Sequence, residues 1–123
     1  MIAAVIHLSN STEEMGCFRI IPGSHKLGPL DNSDGHKHNP EIHSKYKLDE
    51  AYPVLANPGD VLFFHCCSLH GSMANTSLDP RKTILVQLYS GKDKIIKGNT
   101  HTNSQLVLRG FNYYSTRKSV DVS

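Results

Sequence analysis

The sequence predicts an all-β domain of the β-sandwich or jelly-roll barrel kind, and three observations carry that prediction. Short apolar runs, rich in branched and aromatic residues, recur along the chain. Clusters of Pro, Gly, Asn and Asp separate them, most clearly at Asn57-Pro58-Gly59-Asp60 and across Asn75–Pro80. Helical periodicity is nearly absent.

Taken in order, Ala3–Leu8 reads as the first strand and Cys17–Ile21 as the next, closed by Pro22-Gly23-Ser24. From Leu27 to Glu50 the pattern gives way to Gly, Pro, Asn, Asp, Ser and Lys with three histidines, which predicts a long loop over about 27–50. Val54-Leu55 leads into the first strong turn. Val61–Cys67 follows, apolar on both faces as a buried strand is. Lys82–Tyr89 is a further strand after the second turn cluster, and Gln105–Leu108 and Phe111–Tyr114 form either a last strand or a docking segment. Five or six strands do not close a barrel, so part of the sheet is expected to come from outside this chain. At 123 residues, one modest core and one domain over 1–123, incomplete by that strand count, are expected.

Charge is nearly balanced, with 13 basic and 11 acidic residues. That balance gives no reason to expect nucleic acid or an anionic membrane as a partner. No apolar run approaches the roughly 20 residues of a membrane helix, and the opening Met1–Ile6 lacks the basic region of a signal peptide. Three cysteines, Cys17, Cys66 and Cys67, are an odd number without a Cys-x-x-Cys pair. Free thiols in a reducing, intracellular compartment are the plain reading, with cytoplasm and peroxisome not distinguished.

The chemistry concentrates in Gly59–Ser72. His70 stands at a strand end before Gly71-Ser72, and Arg81 follows eleven residues later across the second turn cluster. An antiparallel hairpin of that length would bring His70 and Arg81 to one cavity. In Lys82–Tyr89, alternation puts Thr83, Leu85, Gln87 and Tyr89 on the face of Arg81, and Ile84, Val86 and Leu88 on the other. A guanidinium aimed inward needs an anion, and a carboxylate fits its planar fork with two parallel hydrogen bonds. An open-sided site of imidazole and carboxylate ligands is the arrangement of non-haem iron oxygenases.

The run from Ser11 to Lys26, with Glu14-Met15-Gly16-Cys17-Phe18-Arg19-Ile20-Ile21-Pro22-Gly23-Ser24-His25, resembles a signature of the phytanoyl-CoA dioxygenase-like family. Gly59-Asp60-Val61-Leu62-Phe63-Phe64-His65, then Leu69-His70-Gly71-Ser72 and Arg81, resembles its second signature. The resemblance covers most of residues 3–89 and corresponds to the carboxyl-terminal part of the family. It implies a double-stranded β-helix and an oxygenase dependent on iron(II) and 2-oxoglutarate, hydroxylating an aliphatic carbon, with fatty acyl-CoA among the permitted substrates. By that resemblance His70 is an iron ligand, Arg81 holds the far carboxylate of 2-oxoglutarate, Ser72 assists it, and Thr83 and Gln87 line the cavity.

One departure stands out. The family draws its other two iron ligands from a His-x-Asp motif upstream, and no His-x-Asp occurs in this chain. His7-Leu8-Ser9 has the outline only, at a strand position. The expectation is a truncated relative, with a non-catalytic barrel that binds a dicarboxylate as the alternative. A cupin-like metal protein built on His36, His38, Glu41 and His43 is a further rival, disfavoured by the two-residue gap before the glutamate and by the loop-like context. Strand parity sets His65 on the face opposite His70, His25 reads as a turn residue or pocket rim, and Glu13 and Glu14 read as turn residues. The basic residues Lys92, Lys94, Lys97, Arg109, Arg117 and Lys118 read as hydrated surface.

Overall fold

A computed structural model describes residues 1–30, 39–93, 106–110 and 118–119. Six strands build two three-stranded antiparallel sheets. The first sheet holds β1 (Ile2–His7) at its centre, flanked by β4 (Val61–His65) and β6 (Thr83–Leu88). The second holds β2 (Phe18–Ile20) at its centre, flanked by β3 (Tyr52–Val54) and β5 (His70–Ser72). The all-β, jelly-roll expectation holds. Met1–Leu88 forms one compact unit, and Tyr89–Ser123 a second that includes a short parallel pair, β7 (Leu106–Val107) with β8 (Lys118–Ser119). The possible strand at Phe111–Tyr114 lies outside the described residues.

Parity dictates which side chains meet between the sheets. Ala3, Val5 and His7 share one face of β1, and register sets Phe64 and Leu62 of β4 and Gln87, Leu85 and Thr83 of β6 opposite them. In the second sheet Phe18 and Ile20 face the same way as their partners Ser72 and His70. Ala3, Val5, Phe18 and Phe64 make the core, with Ile20, Val54 and Leu62 packed against it. The Phe18 and Phe64 rings, one from each sheet, lie 5.0 Å apart at 43° and join the layers. Burying such a ring contributes roughly 2 kcal/mol. The other face of the first sheet is apolar and open to solvent: Phe63 is 65% exposed, and Val61, Ile84 and Leu88 are also exposed.

Two features depart from the sequence reading. Strands β5 and β6 are not hairpin partners: β5 pairs with β2 and β6 with β1, so the turn cluster between them carries the chain from one sheet to the other. The expected loop over 27–50 contains a short helix, α1 (Pro40–Lys45). Asn39 caps it, its side-chain oxygen accepting from the N–H groups of Glu41 and Ile42, and Pro40 fits the first turn where no donor is needed.

The turn before β2 is tightly held. The Arg19 guanidinium donates to the Glu13 carboxylate at 2.7 Å and to the carbonyls of Asp49 and Ala51 at 3.0 and 3.1 Å. Gly16 sits at φ 66°, where a Cβ would collide with the Met73 carbonyl, and Thr76 N–H donates to the Glu14 carbonyl at 2.9 Å. Glu13 and Glu14 are turn residues, as expected, and Glu13 is also the acidic partner of Arg19.

Candidate functional site

His70 and Ser72 lie two residues apart on β5, on the face that also carries Phe18 and Ile20. The His70 ring stacks on Phe18 at 5.1 Å and 17°, and tilts against Phe64 at 4.8 Å. Its Nδ1 is 2.8 Å from the Ser68 carbonyl. A carbonyl can only accept, so Nδ1 carries the proton and Nε2 keeps its lone pair, the tautomer in which a histidine binds a metal. One edge of the ring borders a cavity of about 160 Å³, also lined by Ile21, Ile42, Tyr46, Leu48 and Leu69. Helix α1 and the segment after it thus roof a mostly apolar hollow beside His70. Gly71 keeps the strand thin there, since a Cβ would stand 2.9 Å from a Leu48 methyl.

Arg81 stands two residues before β6 and reaches β5 of the second sheet. Its Nη2 donates to the Ser72 hydroxyl at 3.1 Å. Alternation in β6 is as the sequence indicates, and Thr83, Leu85 and Gln87 share their face with Val5 and His7. Arg81 therefore meets Ser72, two residues from His70 on β5, by a crossing between sheets rather than along one hairpin.

His7 was legible only as a strand residue, and it is the last residue of β1. It is also 1% exposed, and neither ring nitrogen has a hydrogen-bond partner. Burial holds its pKa below the usual histidine value; the Arg81 guanidinium lowers it further, and Asp60 pulls the other way. A buried imidazole without a partner forfeits about 1–3 kcal/mol. The sequence signal for it is parity: after Ala3 and Val5, the next inward position is a histidine.

His65 belongs to the outward side of β4, as expected. Beyond it the turn abandons strand parity, and the Cys66 and Cys67 sulfurs come 3.8 Å apart. Cys67 N–H donates to His65 Nδ1 at 3.1 Å, and the His25 ring lies 5.7 Å from the His65 ring, which puts His25 at the edge of this turn. Burial first, then the contact with Cys66, raises the Cys67 thiol above its usual pKa. All three cysteines are free thiols. Of the cupin-like set, His36 and His38 lie outside the described residues, while Glu41 and His43 are on α1.

Among the described residues, the set of three or more His, Cys, Asp or Glu side chains close enough to share an ion is His65, Cys66 and Cys67. His70 is not part of it. The tautomer of His70 fits a metal, but one imidazole does not make an iron centre. The Arg81–Ser72 pair beside the unpartnered His7 does fit a carboxylate, because each group offers or can offer a donor. Among the described residues no helix is long and apolar enough to cross a membrane.

The family model for phytanoyl-CoA dioxygenase matches residues 1–83. The chain is 29% identical over 107 residues to the dioxygenase cdmD of Talaromyces verruculosus, covering 87% of this chain and 32% of that protein. It is 37% identical over 82 residues to the dioxygenase lolE1 of Epichloe uncinata, covering 67% of this chain and 28% of the relative. Rat peroxisomal phytanoyl-CoA dioxygenase is 32% identical over 97 residues, covering 72% and 28%. The chain thus spans about a third of the length of these relatives or less. Among solved structures, EvdMO1 matches with a TM-score of 0.54 at 33% identity over 68% of this chain and 18% of that one. CytC3 matches with a TM-score of 0.61 over 97% of this chain and 44% of that one; at 17% identity that likeness bears on fold alone. The two sheets, the order of both signatures along them and the match over residues 1–83 place this chain in the phytanoyl-CoA dioxygenase family.

Proposed function

We propose that this chain supplies the 2-oxoglutarate clamp and one iron-binding histidine of a double-stranded β-helix oxygenase acting on an aliphatic substrate, a fatty acyl-CoA being one candidate. The observation that carries the reading is Arg81, which donates to the Ser72 hydroxyl and lies near enough to the buried His7 to lower its pKa. Arg81 would take the far carboxylate of 2-oxoglutarate on its fork, Ser72 would orient the guanidinium, and His7 would gain in that carboxylate the partner it lacks. His70, with Nε2 left free by the Ser68 carbonyl, would present a metal ligand at the apolar cavity. The Ile21, Ile42 and Leu48 walls suit an alkyl group and exclude water from it. Iron and 2-oxoglutarate, when bound, supply the oxidising power. The two remaining iron ligands are not in this chain, so no step through iron is assigned to it. That same shortage favours a second reading, a non-catalytic dicarboxylate-binding barrel.

Calorimetric titration with 2-oxoglutarate and with 2-oxovalerate, which lacks the far carboxylate, tests the clamp. The dicarboxylate should bind at least tenfold more tightly, and Arg81→Ala should erase the difference. Equal binding of the two acids, or a preference that survives Arg81→Ala, refutes the clamp. Iron(II) separates the readings: 2-oxoglutarate affinity raised by iron(II), with the gain lost in His70→Ala, supports the oxygenase, and dicarboxylate binding that iron(II) does not change supports the barrel.

A further inference from the structure

The turn between β4 and β5 carries a second donor cluster unrelated to His70. Cys66 and Cys67 are adjacent in sequence, and in a regular strand their side chains would point apart. Here the turn brings the sulfurs to 3.8 Å without joining them. Two thiolates on a tetrahedral zinc, with bonds near 2.3 Å, stand about 3.8 Å apart. His65 Nδ1 is 3.9 Å from the Cys66 sulfur, against roughly 3.6 Å for a nitrogen and a sulfur on such an ion. Two separations within one cluster thus lie within about 0.3 Å of those a single ion imposes, and all three donor atoms lie within 4.8 Å of one another.

We propose that His65, Cys66 and Cys67 form a binding site for a zinc-type divalent ion, separate from His70. Two sulfurs and an imidazole nitrogen select a borderline-soft ion over magnesium or calcium, which require oxygen ligands. Cys66 is exposed and Cys67 half-buried, so the site opens to solvent and can load without unfolding. The Cys67 N–H that now donates to His65 Nδ1 would be released on metal binding and could turn to a thiolate. Binding would tie the end of β4 to the turn that follows it through one ion. The site does not depend on the oxygenase reading, since none of its ligands belongs to the carboxylate clamp.

Cobalt(II) titrated into the reduced chain is the test. A thiolate-to-cobalt charge-transfer band with the strong visible bands of tetrahedral geometry should appear at one equivalent, and zinc should displace it. Cys66→Ser and Cys67→Ser, each confirmed folded by circular dichroism, should weaken the charge-transfer band, and the double variant should lose it. His65→Ala should weaken zinc binding at least tenfold, and His70→Ala should leave the spectrum intact. Absence of the band in the reduced chain, its survival in the Cys66→Ser/Cys67→Ser double variant, or its loss in a folded His70→Ala variant overturns the proposal.

Discussion

Arg19 is the fastener of the segment between β1 and β2, and its replacement measures how firmly the second sheet is held. Its side chain is 12% exposed and gives three hydrogen bonds, to the Glu13 carboxylate and to the carbonyls of Asp49 and Ala51. The ion pair with Glu13, whose side chain is 59% exposed, is screened and contributes at most about 1 kcal/mol. The two carbonyl bonds come from a charged donor, and Ala51 is buried, so together they contribute about 2–3 kcal/mol. Arg19→Ala should therefore cost about 3 kcal/mol. Glu13→Ala should cost below about 1 kcal/mol, and Arg19→Lys should fall between, because a single ammonium cannot span three acceptors. Urea unfolding followed by circular dichroism gives these values from the midpoint at constant slope. The Glu13→Ala/Arg19→Ala double variant should cost no more than about 0.5 kcal/mol beyond Arg19→Ala alone. If Glu13→Ala costs as much as Arg19→Ala, the ion pair and not the carbonyl bracket holds the turn, and the reasoning fails.

Other expectations rest on single positions. Gly16→Ala meets both a positive φ and the Met73 carbonyl, while Gly23→Ala, at φ 78°, meets nothing within 4 Å. Unfolding midpoints should show the first costing more than about 2 kcal/mol and the second about 1 kcal/mol. His7 makes stability depend on pH. Its folded pKa is depressed, so below the unfolded value near 6.5 the unfolded chain takes up a proton that the folded chain refuses. Stability should fall as pH drops from about 6.5 towards the folded pKa, and His7→Gln should remove that slope in a pH series of urea melts. A saturating dicarboxylate should also lessen the slope, because an anion beside His7 favours its charged form.

The strand pattern was readable because its causes are local. Alternation in β6 sorted Thr83, Leu85 and Gln87 from Ile84, Val86 and Leu88, and the structure keeps that sorting. Pairing between strands is not local. A ten-residue link such as 73–82 can close a hairpin or cross between sheets, and the letters of the link do not decide which. What decides is that β1 offers two edges, taken by β4 and β6, while the Phe18–Phe64 contact draws the second sheet opposite. Under the observed topology Arg81 still reaches Ser72, two residues from His70. Helix α1 was missed because its signal is a cap: Asn39-Pro40 reads equally as a turn, and no residue of the helix is buried to give it an apolar stripe. The convergence of His65 with Cys66 and Cys67 was hidden by strand parity, which ends at His65 and no longer governs the turn.

Cys17 has a consequence of its own. It is 1% exposed, between Gly16 and Phe18 in the chain, while Cys66 lies open at the surface. A thiol reagent can meet Cys66 in the closed molecule, but it meets Cys17 only when the segment before β2 swings away from the 73–76 backbone. Slow alkylation of one sulfur and fast alkylation of another thus give a single chain two clocks, one reading reagent concentration and the other reading how often the protein breathes.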